Sequence, residues 1–297
     1  MTVAAVAAAS DPALAEVPPS PEPAPSEARR GRLRSRPWGL YLAVAVVSFA
    51  VLWALIPGVF APGDPLTGTP ADKLLPPSAA HWFGTDTLGR DLFGRVVHGA
   101  VHSLSGALIA VTVGLALGTI LGAIAGAVGG IVDDILMRIV DVLLAIPGLL
   151  LSLSVIILLG FGTVNAAIAV GLGSVAAFAR LMRSEVARVR RAEYVEAAYG
   201  SGGTFFTVLR RHVLPNSLTP IVALAALQFG TAILAISTLG FLGYGAPPPT
   251  PEWGLLIAEG RNYIGTAWWL TALPGLVVVA VVLSANRISH RIGRNTR

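Results

Sequence analysis

Residue types that carry out covalent chemistry are scarce in this sequence of 297 residues. It contains no cysteine, which excludes disulfides, thiolate metal sites and cysteine nucleophiles. Its single lysine, Lys73, follows Asp72, so the G-x-x-x-x-G-K-[ST] loop that holds nucleotide phosphates is missing. The H-E-x-x-H zinc motif and the G-x-S-x-G nucleophile motif are missing too. We therefore predict that the chain is not an enzyme and binds no metal or cofactor of its own.

The segment 184–217 carries the clearest pattern of a binding surface. It predicts two short helices, Glu193–Ser201 and Thr204–His212, with Gly202 between them and with Leu214-Pro215-Asn216 preventing the second from continuing. Each helix is expected to present one face of small or apolar residues: Tyr194, Ala197 and Ala198 in the first, Phe205, Val208, Leu209 and His212 in the second. Such helices favour docking of a partner protein. Helices that rest on lipid headgroups are the alternative.

Four glycines recur at every fourth position, which places them on one face of a helix. We call them the glycine stripe: Gly114, Gly118, Gly122 and Gly126. Glycines in this arrangement let a second helix approach closely. We expect a packing surface, and a surface along which helices slide is the alternative.

A further polar group lies in the third apolar segment. Arg138 and Asp141 are three residues apart, so they could pair on one helix face. Pro147 removes one backbone hydrogen bond and predicts a kink. We expect this group to anchor the helix at the membrane edge, or to take part in a gating movement.

The elements that position these residues are membrane helices. The chain is 54% hydrophobic and only 12% charged, whereas soluble domains carry about 25% charged residues. The uncharged stretch 142–179 is too long for one crossing of the bilayer, and Gly160–Asn165 is the expected turn within it. We predict an all-α integral membrane protein with six transmembrane helices, within 37–63 (centred on Leu40–Ile56), 96–132, 137–159, 164–184, 218–241 and 262–286.

The distribution of basic residues predicts the orientation. With the N-terminus inside, 17 of the 21 Lys and Arg residues fall on the inner side, and only Lys73, Arg90, Arg95 and Arg261 fall outside. This asymmetry follows the positive-inside rule. We therefore expect a multi-pass protein of the cell membrane with both termini cytoplasmic and with 57–101 and 242–264 outside. The rule also accounts for the net charge of +5 without a nucleic-acid partner.

The two ends of the chain are expected to lie outside the membrane domain 37–287. Residues 1–36 are rich in Ala and Pro and predict a disordered cytoplasmic tail that ends in the basic run Arg29–Arg36. A cleaved signal peptide, with Val59-Phe60-Ala61 before the cleavage site, is the alternative. Residues 288–297 predict a short basic cytoplasmic tail.

Several motifs resemble one transporter family. Glu196-Ala197-Ala198, Gly202 and Leu214-Pro215, spread over 20 positions, resemble the EAA loop of ABC transporter import permeases. His212 followed by Val-Leu-Pro-Asn is similar to the dipeptide/oligopeptide (and nickel) branch. The resemblance covers residues 37–287. Within this range four further segments match the same branch: Phe83–Asp91, Met137–Asp141, Gly240–Gly245 and Pro251–Gly254.

This resemblance implies a type I ABC importer permease fold and a role as the permease subunit of an ATP-driven importer of short peptides. The implied partners are a homologous permease that completes a heterodimer, two ABC ATPase subunits that use ATP and Mg²⁺, and an extracytoplasmic substrate-binding protein. The implied ATPase-coupling loop is 184–217, with the following contact residues: Glu193, Tyr194, Glu196, Ala197, Ala198, Gly202, Phe205, His212, Leu214 and Pro215.

Three other functions are alternatives. A permease for nickel or another small solute fits the same motifs. A secondary transporter predicts inverted repeats and ionisable groups near the bilayer midplane, whereas these spans are almost free of charge. A channel or a purely structural membrane subunit is the third alternative, and no segment resembles a selectivity filter.

Overall fold

The computed structural model describes residues 38–295, so the tail 1–36 lies outside the described residues. The described part is helical, and its only extended pairing is an isolated bridge between Thr85 and Asp91. Its helices are α1 (Trp38–Leu55), α2 (Pro57–Phe60), α3 (Leu92–Val128), α4 (Gly130–Ala145), α5 (Gly148–Leu159), α6 (Thr163–Val189), α7 (Glu193–Gly200), α8 (Phe205–Val208), α9 (Leu214–Phe241), α10 (Trp253–Gly260) and α11 (Trp269–Asn295).

Five helical segments within residues 38–295 are long and apolar enough to cross a membrane: α1, α3, α6, the continuous helix Phe205–Phe241, and α11. The consecutive helices α4 and α5 form a sixth candidate span with a bend of 96° between them. These segments confirm the predicted all-α membrane fold. The expected tail 288–297 is helical as far as it is described, because α11 continues to Asn295.

The third span differs from the single helix predicted over 137–159. α4 ends at Ala145 and α5 begins at Gly148, because Pro147 has no N–H to donate and its ring excludes a helical neighbour before it. Ile146 accordingly has extended backbone angles, φ −88° and ψ 126°. The predicted kink is a complete break in the helix.

The expectation that Leu214-Pro215 ends a helix is wrong. α8 continues through a π-helical turn, Leu209–Val213, directly into α9, and Leu214 N–H donates to the carbonyl of Leu209 five residues earlier. Pro215 is tolerated because it directly follows the π turn, where the regular i→i−4 hydrogen-bond ladder is interrupted. The extra residue in the π turn also moves the buried position from the predicted His212 to Val213.

α3 and α6 form the centre of the bundle, and α9 packs against both. α1 and α11 pack on each other at one side of α3, whereas α4 and α5 lie against α6. One main cluster of buried residues, which includes Val97, Phe178, Met182 and Ile233, joins α1, α3, α6, α9 and α11. α4 and α5 pack through two smaller clusters, around Val140 and Ile156. We call the end of the bundle that carries α7 the coupling end, and the other the opposite end.

Candidate functional site

The glycine stripe sets how closely α3 and α6 approach. All four glycines are buried, and each faces backbone or Cβ atoms of α6. A Cβ atom at Gly118 would lie 2.5 Å from the carbonyl oxygen of Val175, and one at Gly126 would lie 2.8 Å from that of Arg183. Any larger residue in the stripe must therefore push the two helices apart.

Ion pairs between α4 and α6 lie next to the stripe. Arg183 donates two hydrogen bonds to the carboxylate of Asp133, 2.6 and 2.5 Å long. Arg180 donates to Asp141 at 2.7 Å. The predicted pairing of Arg138 with Asp141 is therefore wrong. Arg138 lies on the exposed side of α4, while Asp141 points across to α6.

The coupling end begins where α3 and α6 finish. Arg190, one residue after α6, donates a hydrogen bond of 2.9 Å to the carbonyl of Gly126, the last glycine of the stripe. The chain turns at Arg191 and Ala192 and enters α7. The position of α7 is thus tied to the same packing that holds α3 against α6.

One residue of the predicted docking face of α7 packs inward instead. Val195 is completely buried and Ala198 is half-buried against the main cluster, three residues apart. Tyr194 and Ala197 are exposed. Ala198 therefore belongs to the packed face of α7, and the small-residue face available to a partner is narrower than the sequence predicts.

Two glycines shape the turn after α7. Gly202 has a φ of +87°, and its N–H donates to the carbonyl of Tyr199, while Gly203 N–H donates to that of Ala198. This pair of bonds is the Schellman arrangement that ends many helices, and it requires the left-handed conformation at Gly202. Gly203 must be glycine for a different reason. A Cβ atom at this position would lie 2.6 Å from the carbonyl oxygen of Ala198, which is too close.

The outward side of α7 and α8 is apolar and acidic. Glu193 and Glu196 are exposed in the first turn of α7, where the helix dipole favours carboxylates, and neither pairs with another described side chain. Phe206 is 79% exposed, more than any other aromatic side chain in the described range. We define the coupling surface as these exposed residues: Glu193, Tyr194, Glu196, Ala197, Tyr199, Phe205 and Phe206.

Some residues of this region were not expected and others lie elsewhere than expected. Tyr199 and Phe206 were not among the contact residues predicted from the sequence. Their aromatic side chains on either side of the glycine turn could have indicated a docking role. His212 and Leu214 are half-buried, and Pro215 is exposed near the membrane part of the helix. Therefore only part of the predicted contact set lies together on the coupling surface.

The opposite end contains a buried ion cluster that the sequence did not predict. It consists of Asp86, Arg90, Arg95 and Glu259. Arg95 has no exposed surface, and its Nη1 lies 2.9 Å from Asp86 Oδ2. Arg90 Nε lies 2.6 Å from the same oxygen. The available signal was the presence of Arg95 at the apolar start of a span.

Glu252 fixes α10 beneath this cluster. Its carboxylate caps the helix by accepting from Gly254 N–H at 2.9 Å and Leu255 N–H at 3.0 Å, and it also accepts from the hydroxyl of Ser103 at 3.3 Å. Burial raises the pKa of Glu252, and the two backbone hydrogen bonds act in the other direction. The next residue, Trp253, donates its indole N–H to the carbonyl of Val96.

A cavity of about 250 Å³ lies between α3, α5, α6 and α9, near the middle of the bundle. Its polar lining consists of uncharged side chains: Ser152, Ser174, Gln228 and Thr231. The remaining lining residues are small or aliphatic. No group of three or more His, Asp or Glu in the described part of the chain is arranged to hold a metal ion.

Comparison with known proteins gives consistent matches. Residues 118–297 match the family described as binding-protein-dependent transport system inner membrane component. The chain is 39% identical over 254 residues to the probable D,D-dipeptide transport system permease protein of Escherichia coli K12, covering 86% of this chain and 85% of that protein. It is 45% identical over 210 residues to the glutathione transport system permease protein of Shigella flexneri, covering 71% and 69%.

The fold is similar to that of a solved ABC transporter. The inward-facing MetNI methionine ABC transporter matches with a TM-score of 0.58 at 19% identity, covering 69% of this chain and 98% of that chain. The shared arrangement of helices agrees with the expected type I importer fold.

Proposed function

Because the chain belongs to the family of binding-protein-dependent transport system inner membrane components, and is thus a permease subunit of an ABC importer, we propose that it moves short peptides through a path shared with a homologous permease. Its relatives include permeases named for a D,D-dipeptide, a dipeptide and glutathione. An importer of this kind works with ATPase subunits and with a substrate-binding protein. In our proposal the ATPases use ATP and Mg²⁺, and this chain binds neither.

The observation that carries the proposal is the coupling surface. Exposed aromatic side chains such as Phe206 and Tyr194 are costly to leave in water and are typical anchors of protein interfaces. Glu193 and Glu196 add negative charge beside them. An ATPase cleft with an apolar floor and basic rim would complement this surface.

The proposed orientation places the coupling end in the cytoplasm. Arg188, Arg190 and Arg191 lie at the end of α6 and in the turn before α7, Arg210 and Arg211 lie in the π turn after α8, and α11 brings Arg287 and Arg291 to the same end. A single Ser201→Cys substitution gives a unique, exposed thiol at this end, and Leu88→Cys gives one at the opposite end. We expect a membrane-impermeant reagent to label only Leu88→Cys in intact cells. Labelling of Ser201→Cys instead would reverse the proposed topology.

The cavity between α3, α5, α6 and α9 supports a peptide as the cargo. A short peptide carries both an ammonium and a carboxylate, so a path lined by fixed charge of one sign would retain one end of it. Hydroxyl and amide groups such as those of Ser152, Thr231 and Gln228 can both donate and accept hydrogen bonds. They can therefore exchange partners with the peptide backbone as it passes.

Co-purification tests the function directly. The full chain is co-expressed with its permease and ATPase partners, and the bound ATPase and the uptake of labelled dipeptide are measured. We expect Phe206→Ala to weaken ATPase binding about thirtyfold, since truncation of an aromatic anchor costs about 2 kcal/mol. Phe161→Ala, which removes an exposed phenylalanine at the opposite end, is the matched control.

Uptake of Ni²⁺ in the same cells is the second arm of this experiment. ATP-dependent uptake of dipeptide without uptake of Ni²⁺ would support the proposed cargo. Uptake of Ni²⁺ alone would replace it with the alternative cargo. Uptake that continues without the ATPases would contradict the proposed mechanism.

A further inference from the structure

A second cavity lies along the same helices as the cavity between α3, α5, α6 and α9, which we call the central cavity. The second cavity has a volume of about 360 Å³ and lies near the opposite end. We call it the end pocket. It is formed by the turn between α5 and α6, the first residues of α6 and residues of the segment 246–250, and its polar side chains are those of His102, Thr163, Asn165 and Thr250.

A small apolar cluster lies on the helices that line both cavities. Its four members are fully buried, each at most 1% exposed: Ile156, Ala166, Ala169 and Leu239. We call this cluster the apolar plug. It is separate from the main cluster, so the contact between α3 and α6 does not depend on it.

The order of residues along α6 places the plug between the two cavities. Residues 163–165 line the end pocket, Ala166 and Ala169 belong to the plug, and Val170 begins the lining of the central cavity. Asn165 and Val170 are five residues apart, which is about 7.5 Å of helix. The two cavities are therefore separated by little more than one layer of side chains.

α5 and α9 each give the same order. On α5, Ser152 lines the central cavity, Ile156 belongs to the plug one turn later, and the turn after the helix lines the end pocket. On α9, Ala235 lines the central cavity, Leu239 belongs to the plug one turn later, and the segment after the helix lines the end pocket. Three helices thus agree that the plug separates the two cavities.

A purely apolar layer closes the passage to polar solutes. Water and ions avoid an apolar constriction, because it offers no hydrogen-bond partners in place of their hydration. The ammonium and carboxylate of a short peptide meet the same barrier. The hydroxyl and amide groups of the central cavity are therefore closed off from the end pocket while the plug is packed.

The plug closes a seam between α9 and the pair formed by α5 and α6. α5 and α6 supply three of its members, whereas α9 supplies Leu239 alone. Tyr244, just after α9, packs against the plug from the side of the end pocket. Leu239 lies two residues before the end of the continuous helix Phe205–Phe241, whose other end carries Phe206 of the coupling surface. One helix thus reaches from the coupling surface to the seam.

We infer that the apolar plug is the barrier that keeps the central cavity closed toward the opposite end, and that Leu239 is the residue through which the helix Phe205–Phe241 holds the barrier closed. Movement of α9 away from α5 and α6 withdraws Leu239 and joins the two cavities into one path. The identity of the solute behind the barrier rests on the proposed function, whereas the barrier itself does not. Leu239 is a positioning residue and has no polar group with which to bind a peptide.

Thiol accessibility tests the barrier without measuring transport. The chain has no cysteine, so Gly173→Cys places its only thiol in the central cavity, at a position where a Cβ atom has no neighbour within 4 Å. Thr250→Cys places one in the end pocket. The complete complex is held in sealed membrane vesicles without nucleotide, and a charged methanethiosulfonate reagent is added outside. Labelling of this chain is followed by mass spectrometry, with the denatured chain as the maximum.

The vesicle orientation is the one in which Thr250→Cys reacts, so the reagent arrives from the opposite end whichever way the chain is inserted. We expect Gly173→Cys to react much more slowly than Thr250→Cys. Adding Leu239→Ala should speed the labelling of Gly173→Cys at least about tenfold, because truncation leaves a gap at the constriction. Ile156→Ala, on the other side of the seam, should act in the same direction.

Two further variants separate the barrier from general destabilisation. Leu239→Met keeps the volume of the side chain, so labelling of Gly173→Cys should stay slow. Ile221→Ala truncates another fully buried residue of α9, which packs in the main cluster instead of the plug. It should destabilise the helix by a similar truncation and still leave the labelling slow.

Two results would overturn the inference. Rapid labelling of Gly173→Cys with the plug unmodified would show that the cavities are already joined. Acceleration by Leu239→Ala no greater than that by Ile221→Ala would remove Leu239 from this role. By contrast, failure of dipeptide uptake together with the expected labelling would contradict the proposed cargo and support the barrier.

Discussion

Arg95 donates a hydrogen bond to Glu259 across 164 residues of sequence, with 2.5 Å between Nη1 and Oε2. This contact joins the first turn of α3 to the end of α10. The Arg95 side chain is completely buried, whereas that of Glu259 is 30% exposed. The buried Arg95 side chain therefore holds together the start of α3, the end of α10 and, through Asp86, the loop before α3.

Loss of Arg95 should destabilise the folded chain strongly. Arg95→Met fills a similar volume but leaves the carboxylates of Asp86 and Glu259 without this partner. Breaking a buried pair typically costs about 3–5 kcal/mol. Glu259→Gln should cost less, because that side chain is partly hydrated. Thermal unfolding in detergent measures both, and Arg261→Gln, an exposed neighbour, is the control. A melting temperature of Arg95→Met equal to that of the control would contradict the structural role of the cluster.

Substitution of a glycine in the stripe should destabilise the protein, whereas the same substitution at a glycine outside the stripe should not. Gly118→Ala places a methyl group 2.5 Å from the Val175 carbonyl, so even alanine should cost about 1–3 kcal/mol by overpacking. Gly118→Leu should prevent assembly. Gly173→Ala is the matched control, since a Cβ atom there has no neighbour within 4 Å. Unfolding and assembly are measured by size-exclusion chromatography of heated samples. Equal behaviour of the two alanine variants would show that α3 and α6 can separate without loss.

Substitutions in α7 and in the turn after it should reduce coupling for different reasons. Glu196→Lys reverses the charge on the coupling surface and should reduce substrate-stimulated ATP hydrolysis far more than Glu196→Gln. Gly202→Val forces a β-branched residue into φ +87° and should misdirect α8 at a cost of about 1–3 kcal/mol. Ser201→Ala, beside it, is the control. Membrane insertion should be preserved in all four variants. If hydrolysis were the same in Glu196→Lys and Glu196→Gln, the carboxylate would have no partner on the ATPase.

Glu252 predicts a dependence of stability on pH. Burial raises its pKa in the folded state above the unfolded value of 4.5, so the folded state binds the proton more tightly. This contribution to stability is complete below pH 4.5 and is lost as the pH rises through the folded pKa. Glu252→Gln should flatten that part of the profile. Melting temperatures measured across this range test it, with Asp64→Asn as a control for an exposed carboxylate. A profile of Glu252→Gln parallel to that of the unmodified chain would refute the assignment.

The parts of the fold that could be predicted depend on local pattern. Long uncharged segments define most spans because the bilayer imposes their length. The four-residue spacing of Gly114 to Gly126 predicts a common face because helical geometry alone decides it. The partner of that face, α6, could not be predicted from spacing, since it depends on tertiary packing.

The predictions that failed depend on long-range geometry or on the context of proline. Pro147 and Pro215 have the same chemistry, but the first follows an extended residue and breaks a helix, whereas the second follows a π turn and continues one. The partner of Asp141 is 39 residues away on α6 rather than on the same helix. Ala198 is not available on the exposed side of α7 because it packs, with Val195, against the main cluster.

The continuous helix Phe205–Phe241 has a mechanical consequence. Its 37 residues extend about 55 Å, from the coupling surface to the opposite end, with no loop between. If the proposed docking is right, a push on Phe206 would tilt or rotate this whole helix, including Gln228 and Thr231 at the central cavity. The π turn sets the angular phase between the two ends of this helix. Deleting one residue from it would rotate the coupling surface by about 100° relative to the cavity-lining residues, so the relative orientation of the two ends depends on this single extra residue.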